Sequence, residues 1–302
     1  MIALLAPGQG SQTPGMLSPW LELPGTADRL AIWSKAAGLD LARLGTTATA
    51  EEITDTAVTQ PLVVAAALLA FEELDRRGQV PADLVVAGHS VGELAAAAIA
   101  GIISADDAVA LAALRGSAMA KACALEPTGM SAVLGGDETA VLERLAALDL
   151  EPANRNAAGQ IVAAGQLDRL EELAATPPEK ARVRALPVAG AFHTRFMAPA
   201  QDAVTEAAAR IAPQDPTRTL LSNADGRPVT SGQDALDKLA AQVTRPVRWD
   251  LCSGHLRDAA VSAVVELPPA GTLVGIAKRE MKGTPTLALK TPGDLDGVAG
   301  LG

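Results

Sequence analysis

The chain has 302 residues, 49% of them hydrophobic, 20% charged and only 2% aromatic. That is enough for one large or two modest domains, with cores built mainly from Ala, Val and Leu. A net charge of −10 argues against nucleic acid as a partner, because phosphate binding wants a basic face.

The opening Met1-Ile2-Ala3-Leu4-Leu5-Ala6 has no basic segment before its apolar run, so it reads as a strand over Ile2–Ala6 and not as a signal peptide. Pro7-Gly8-Gln9-Gly10-Ser11-Gln12 follows, a loop whose glycines let backbone N–H groups approach a ligand. Pro14 and Gly15 stand where a dinucleotide fingerprint needs a helix start, which excludes that motif. Ala27–Ala37 and Glu51–Thr54 read as helical. Gln60-Pro61 opens a helix to about Arg77, with Pro61 at a tolerated first position and Gly78 as the stop.

Leu84–Ala87 is a buried strand and Glu93–Ala100 an Ala-rich helix. Between them lies Gly88-His89-Ser90-Val91-Gly92, the G-x-S-x-G pattern of a nucleophile elbow. The turn is so tight that side chains two before and two after the serine would collide. The Ser90 hydroxyl is then held out at the carboxyl end of the strand, with the Val91 N–H and the helix N-terminus facing any oxyanion beside it. Ser104 caps a helix running through about Lys121. On spacing, Arg115 within that helix reads as a surface or structural arginine. The longest apolar runs, Pro61–Phe71 and Leu94–Ile103, are too short for a bilayer.

From Gly129 the texture changes. Strands over Met130–Leu134, Leu150–Asn154, Gln160–Ala164 and Ala181–Val188 alternate with helices over Glu138–Leu148 and Gln166–Ala175. This β-α-β-β-α-β order is the plan of a ferredoxin-like α+β domain. Helices follow over Ala198–Ile211, Gln233–Val243, Asp250–Ala259 and Thr272–Met281, and strands over Thr219–Ser222, Val261–Leu267 and Thr286–Leu289. The end, Gly293–Gly302, reads as frayed. Strand–helix alternation on both sides of the insertion implies an α/β fold with a mostly parallel sheet covered by helices. The expected division is a large domain in two parts, 1–126 and 190–302, around a small domain, 127–189.

Cys123 and Cys252 match no metal spacing, so no metal site and a reducing, cytoplasmic setting are expected. A serine nucleophile needs a base within hydrogen-bond reach. His89 sits inside the elbow and points away, which leaves His193 or His255. The order of an ordinary α/β-hydrolase favours the later His255. A loop at a domain junction favours His193.

The chain resembles the malonyl-CoA:acyl carrier protein transacylases of fatty acid and polyketide synthesis, over nearly its whole length. The resemblance rests on Pro7-Gly8-Gln9-Gly10-Ser11-Gln12, Gln60-Pro61, Gly88-His89-Ser90-Val91-Gly92-Glu93, Leu114-Arg115-Gly116, Asn154-Arg155-Asn156, Gly190-Ala191-Phe192-His193, Ser222-Asn223, Pro246-Val247-Arg248-Trp249 and Glu266-Leu267-Pro268-Pro269-Ala270-Gly271. It implies a hydrolase-like α/β domain with a ferredoxin-like insertion. It implies Ser90 as nucleophile, His193 as base, and an oxyanion hole from the N–H groups of Gln9 and Val91. Arg115 would hold the malonyl carboxylate, and the Gln242 carbonyl would orient His193. Asn156 and Asn223 would support the substrate cleft, and Phe192 favours malonyl over methylmalonyl. The substrates would be malonyl-CoA, a coenzyme A thioester, and the phosphopantetheine thiol of acyl carrier protein, with no cofactor, no metal, no membrane and a monomeric chain. Thr244-Arg245, Arg248 and Arg155 depart from the family's usual residues and put local loop contacts in question. The rival readings are a methylmalonyl-selective acyltransferase, a serine esterase or thioesterase with His255 as base, and a non-catalytic carrier-binding module.

Overall fold

Every residue of Ile2–Ala6, the first strand β1, is buried, because both faces of its sheet are covered. The computed structural model describes residues 1–301. After β1 come α1 (Thr26–Ala37), α2 (Leu41–Thr46), α3 (Thr56–Arg76), β2 (Leu84–Gly88), α4 (Gly92–Ile99) and α5 (Ala105–Cys123). The middle segment holds β3 (Thr128–Gly135), α6 (Glu138–Ala147), β4 (Glu151–Ala157), β5 (Gln160–Gln166), α7 (Leu167–Ala175) and β6 (Ala181–Ala185). The last third holds α8 (Ala198–Ala208), β7 (Thr219–Leu221), α9 (Gly232–Ala241), α10 (Trp249–Asp258), β8 (Ala263–Glu266), α11 (Thr272–Glu280), β9 (Thr286–Ala288) and α12 (Asp296–Ala299).

Five strands form a wholly parallel sheet in the order β7-β2-β1-β8-β9. Alternate residues of each strand feed opposite cores. Ile2, Leu4, Val86 and Val265 face the core built with α3, α4 and α5. Ala3, Leu5, Val85 and Val264 face the one built with α10 and α11. That two-sided burial is why these strands read as unbroken apolar runs. The register pairs Ala6 with Gly88 and Leu5 with Glu266. The loops leaving β1, β2 and β8 therefore emerge side by side at the carboxyl edge, where open parallel sheets bind their ligands.

The second sheet is antiparallel, in the order β4-β5-β3-β6. One face packs on α6 and α7 through Val133, Val141, Leu145, Ile161 and Leu170. The other sends Met130, Val162 and Ala164 into the main core. Its edge strand is tied to the large sheet's unit by the Arg155 N–H to the Val247 carbonyl and the Val247 N–H to the Ala153 carbonyl, each 2.9 Å.

Several expectations are corrected. α3 begins at Thr56, not at Gln60, because Asp55 caps it by accepting the Ala57 N–H. Pro61 lies inside the helix. At 21 residues, α3 is also apolar enough to cross a membrane by length and composition, though most of it is buried in protein. The short α2 was not expected. Glu52–Thr54 is a single 3-10 turn. β6 ends at Ala185 instead of Val188. The tail is ordered: a 3-10 turn over Pro292–Leu295 leads into α12, and Leu295 and Val298 are buried. Of the stretch expected to fray, Gly302 lies outside the described residues.

Candidate active site

The elbow is built as the sequence requires. A Cβ on Gly88 would overlap the Gly92 carbonyl, and one on Gly92 the carbonyls of Ala6 and Pro7. Between them Ser90 takes φ 53°, a left-handed conformation costly for any residue with a side chain. It is held there by the Asn223 side chain, whose Oδ1 accepts the Ser90 N–H at 2.8 Å while its Nδ2 donates to the Gly88 carbonyl at 2.7 Å.

Ser90 Oγ lies 2.7 Å from His193 Nε2, and His193 Nδ1 lies 2.8 Å from the Gln242 carbonyl. A carbonyl can only accept, so Nδ1 carries the proton and Nε2 is free to take one from Ser90. Burial, reinforced by the Arg115 charge, pushes His193 down to about 3. The imidazole is thus neutral at neutral pH, as a base must be. His255 sits half-buried in the last turn of α10 and makes no hydrogen bond to Ser90.

Arg115 is buried, not on the surface. It reaches the site because Gly116 lets α5 press on the first turn of α3; a Cβ there would stand 2.7 Å from the Thr56 carbonyl. Its Nη1 donates to Gln60 Oε1 at 2.5 Å, and its Nη2 donates to Gln242 Oε1 at 3.1 Å and lies 3.4 Å from Ser90 Oγ. Burial lowers its pKa to about 10, which leaves it charged at neutral pH. A guanidinium beside the serine hydroxyl is suited to a substrate carboxylate carried near the reacting carbon.

The Gly8 loop packs against the elbow, since a Cβ on Gly8 would lie 2.7 Å from the His89 carbonyl. Among the described residues neither the Gln9 nor the Val91 backbone N–H has a backbone or side-chain acceptor. The Gln9 side chain is anchored on Thr56 Oγ1 at 3.1 Å. A cavity of about 510 Å³ opens beside Thr56, lined also by Asp55, Ala120 and Ala189. Phe192 is buried in the main core next to His193. Asn156 is buried and engaged with His89, whose Nε2 lies 2.9 Å from Asn156 Oδ1 and whose ring meets Trp249 at 5.5 Å.

Two partners were not anticipated. Gln60 holds the far side of the Arg115 guanidinium. Glu93, fully buried on α4, is raised to about 7 by burial, against the hydrogen bonds it accepts. The signal was present: Glu93 is the one charged residue in the helix Gly92–Ile99, whose remaining positions are Gly, Leu, Ala and Ile. Of the departing residues, Arg155 is ion-paired with Glu138 and Arg248 with Asp250 at 2.8 Å, while Thr244 donates to Gln201 Oε1 at 3.0 Å.

Fold and geometry together define the class: an α/β chain with serine, histidine and main-chain carbonyl in hydrogen-bonded series at the carboxyl edge of its sheet, and an arginine beside the serine. Comparison with known proteins narrows it, for residues 4–292 match the acyl transferase domain family. The chain belongs to that family. It is 72% identical to the malonyl CoA-acyl carrier protein transacylase of Mycobacterium tuberculosis over 302 residues, 100% of both chains. A crystal structure of a Mycobacterium tuberculosis malonyltransferase of this kind superposes with a TM-score of 0.97 at 72% identity, covering 99% of each chain. A malonyl-transacylase in complex with a type II polyketide acyl-carrier protein superposes at 0.92 with 27% identity, covering 100% of this chain and 99% of that one.

Proposed function

We propose that this chain transfers the malonyl group from malonyl-CoA to the phosphopantetheine thiol of acyl carrier protein, through a malonyl ester on Ser90. The observation that carries the reading is the Arg115 guanidinium 3.4 Å from the Ser90 hydroxyl. A plain esterase has no use for a buried cation there.

In the first half-reaction His193 Nε2 takes the hydroxyl proton as Ser90 Oγ bonds to the thioester carbon. The oxyanion is met by the N–H groups of Gln9 and Val91. The carbon–sulfur bond then breaks, and His193 returns the proton to the departing CoA sulfur. In the second, the carrier's thiol gives its proton to His193 while its sulfur attacks the ester, and Ser90 Oγ leaves with that proton. Two thioesters of similar energy make this ping-pong route reversible, with no redox step and hence no cofactor beyond the substrates. The Gln242 carbonyl steadies the imidazolium formed in each half. Asn223 and Asn156 support the elbow from behind, and Phe192 narrows the acyl end of the cleft. The proposed division is 1–126 and 190–302 as the hydrolase-like domain and 127–189 as a ferredoxin-like insertion, a reading supported by the separate parallel and antiparallel sheets. A monomer working in the cytoplasm is consistent with this reading.

The test is intact-mass measurement after mixing with malonyl-CoA, acetyl-CoA and methylmalonyl-CoA in turn. A malonyl adduct should dominate, vanish in Ser90→Ala, and fall to the acetyl level in Arg115→Ala. A malonyl adduct on the Ser90→Ala protein, or release of malonate to water as fast as transfer to a thiol, would sink the reading.

A further inference from the structure

The Glu93 backbone N–H donates to the Ser90 carbonyl at 2.9 Å, but its carboxylate bonds to neither the serine, the histidine nor the arginine; it holds the residues that hold all three. Its Oε1 accepts the Asn223 backbone N–H at 3.1 Å and its Oε2 accepts Gln242 Nε2 at 2.6 Å. Asn223 fixes the Ser90 peptide. Gln242 serves twice: its main-chain carbonyl accepts from His193, and its side-chain oxygen accepts from Arg115 Nη2. A side-chain amide has one donor end and one acceptor end. Which end faces Arg115 is decided by what faces the other.

Both Glu93 oxygens sit against N–H donors, the arrangement of the ionised form that prevails above about pH 7. An ionised carboxylate only accepts, so it draws Nε2 toward itself, and Asn223 Oδ1 at 3.2 Å does the same. The Gln242 oxygen is thereby left facing the guanidinium. With a donor at position 93 the amide could turn over and present its N–H groups to those of Arg115. The arginine would then lose one of its two amide anchors, the other being Gln60. Resting on malonyl transfer as proposed above, we propose that Glu93 is a positioning residue for acyl-group selectivity. Its carboxylate sets the polarity of the Gln242 amide and so holds Arg115 where a substrate carboxylate binds.

The experiment measures kcat and KM for acylation by malonyl-CoA and by acetyl-CoA in wild type, Glu93→Gln and Glu93→Asp, with a melting curve for each. In Glu93→Gln the malonyl-over-acetyl preference should fall about tenfold, the scale of one charge-assisted hydrogen bond. Most of the fall should lie in the KM for malonyl-CoA. Glu93→Asp keeps an acceptor-only group and should recover part of the preference. Equal losses on both substrates would make Glu93 merely structural and overturn the proposal. If Glu93→Gln does not fold, Gln242→Met decides: it removes the amide and leaves the main-chain carbonyl on His193, so an unchanged preference there overturns the proposal as well. A wild type with no malonyl preference is a different failure, one that removes the functional reading itself.

Discussion

His193 and Glu93 are displaced in opposite senses by the same dry environment, and their effects on stability oppose each other. His193 titrates near 3 in the folded protein and at about 6.5 in an unfolded chain. Between these values the unfolded chain binds the extra proton. The stability that depends on a neutral His193 is therefore present above about 6.5 and is lost as pH falls toward 3. Glu93 runs the other way, from 4.5 unfolded to about 7 folded. Its contribution is present below 4.5 and is lost as pH rises through 7, in a setting that also includes Arg115, Lys238 and Cys252. His193→Ala should therefore flatten the acid limb of a melting-temperature profile between pH 6.5 and 3. It should also slow transfer by about 10²–10⁴-fold, the usual cost of removing a general base. His255→Ala should leave the transfer rate close to that of the wild type. Thermal melts at stepped pH and steady-state rates check both, and a His255→Ala protein slower than His193→Ala would reverse the assignment of the base.

The pairing of α3 with α5 does for Arg115 what the elbow does for Ser90. Gly116→Ala would put a methyl group 2.7 Å from the Thr56 carbonyl and 3.2 Å from Ala57 Cα, both backbone, so one helix must move. Overpacking of this kind costs about 1–3 kcal/mol, and the movement carries Arg115 away from Gln60. A lower melting temperature together with a raised KM for malonyl-CoA is expected; an unchanged KM would show that the helix contact does not govern the site. The elements that were legible in the sequence are those whose residues make local backbone demands. Gly88 and Gly92 announce the elbow, Ser104 caps α5, and the apolar runs of β1 and β2 declare a doubly covered sheet. What stayed hidden was decided across the fold. Pro61 invites a helix start but loses to Asp55, which supplies the cap a turn and a half earlier. The Gly-rich tail looks loose, yet Leu295 and Val298 find places in the main core. Gln60 meets Arg115 across 55 residues and Glu93 meets Gln242 across 149, separations at which no motif speaks.

Over the whole molecule, a charge of −10 opposes an acidic partner, so docking of an acidic carrier needs a local basic face. Lys278, Arg279 and Lys282 are exposed at the end of α11. Arg279 also donates to Gln160 of the antiparallel sheet at 2.8 Å, which sets this cluster at the seam between the two sheets' units. Arg182 and Arg184 are exposed on the edge strand β6. Charge reversal at Lys278, Arg279 and Lys282 should raise the KM for the carrier, more at low salt than at high, and leave acylation by malonyl-CoA nearly unchanged. Exposed charges act mainly through association and are screened over about 8–10 Å. If carrier KM responds instead to reversal at Arg182 and Arg184, the docking face lies on the small sheet. The distances along the chain within the reacting series have a consequence for synthesis. Ser90 waits 103 residues for His193, and His193 a further 49 for the carbonyl of Gln242. Until both partners have been made, Ser90 lacks the hydrogen-bonded series that the proposed mechanism needs. On the proposed mechanism, a chain that ends before Gln242 lacks the base or the carbonyl that orients it, so competence is expected only when the last third has folded back onto the first.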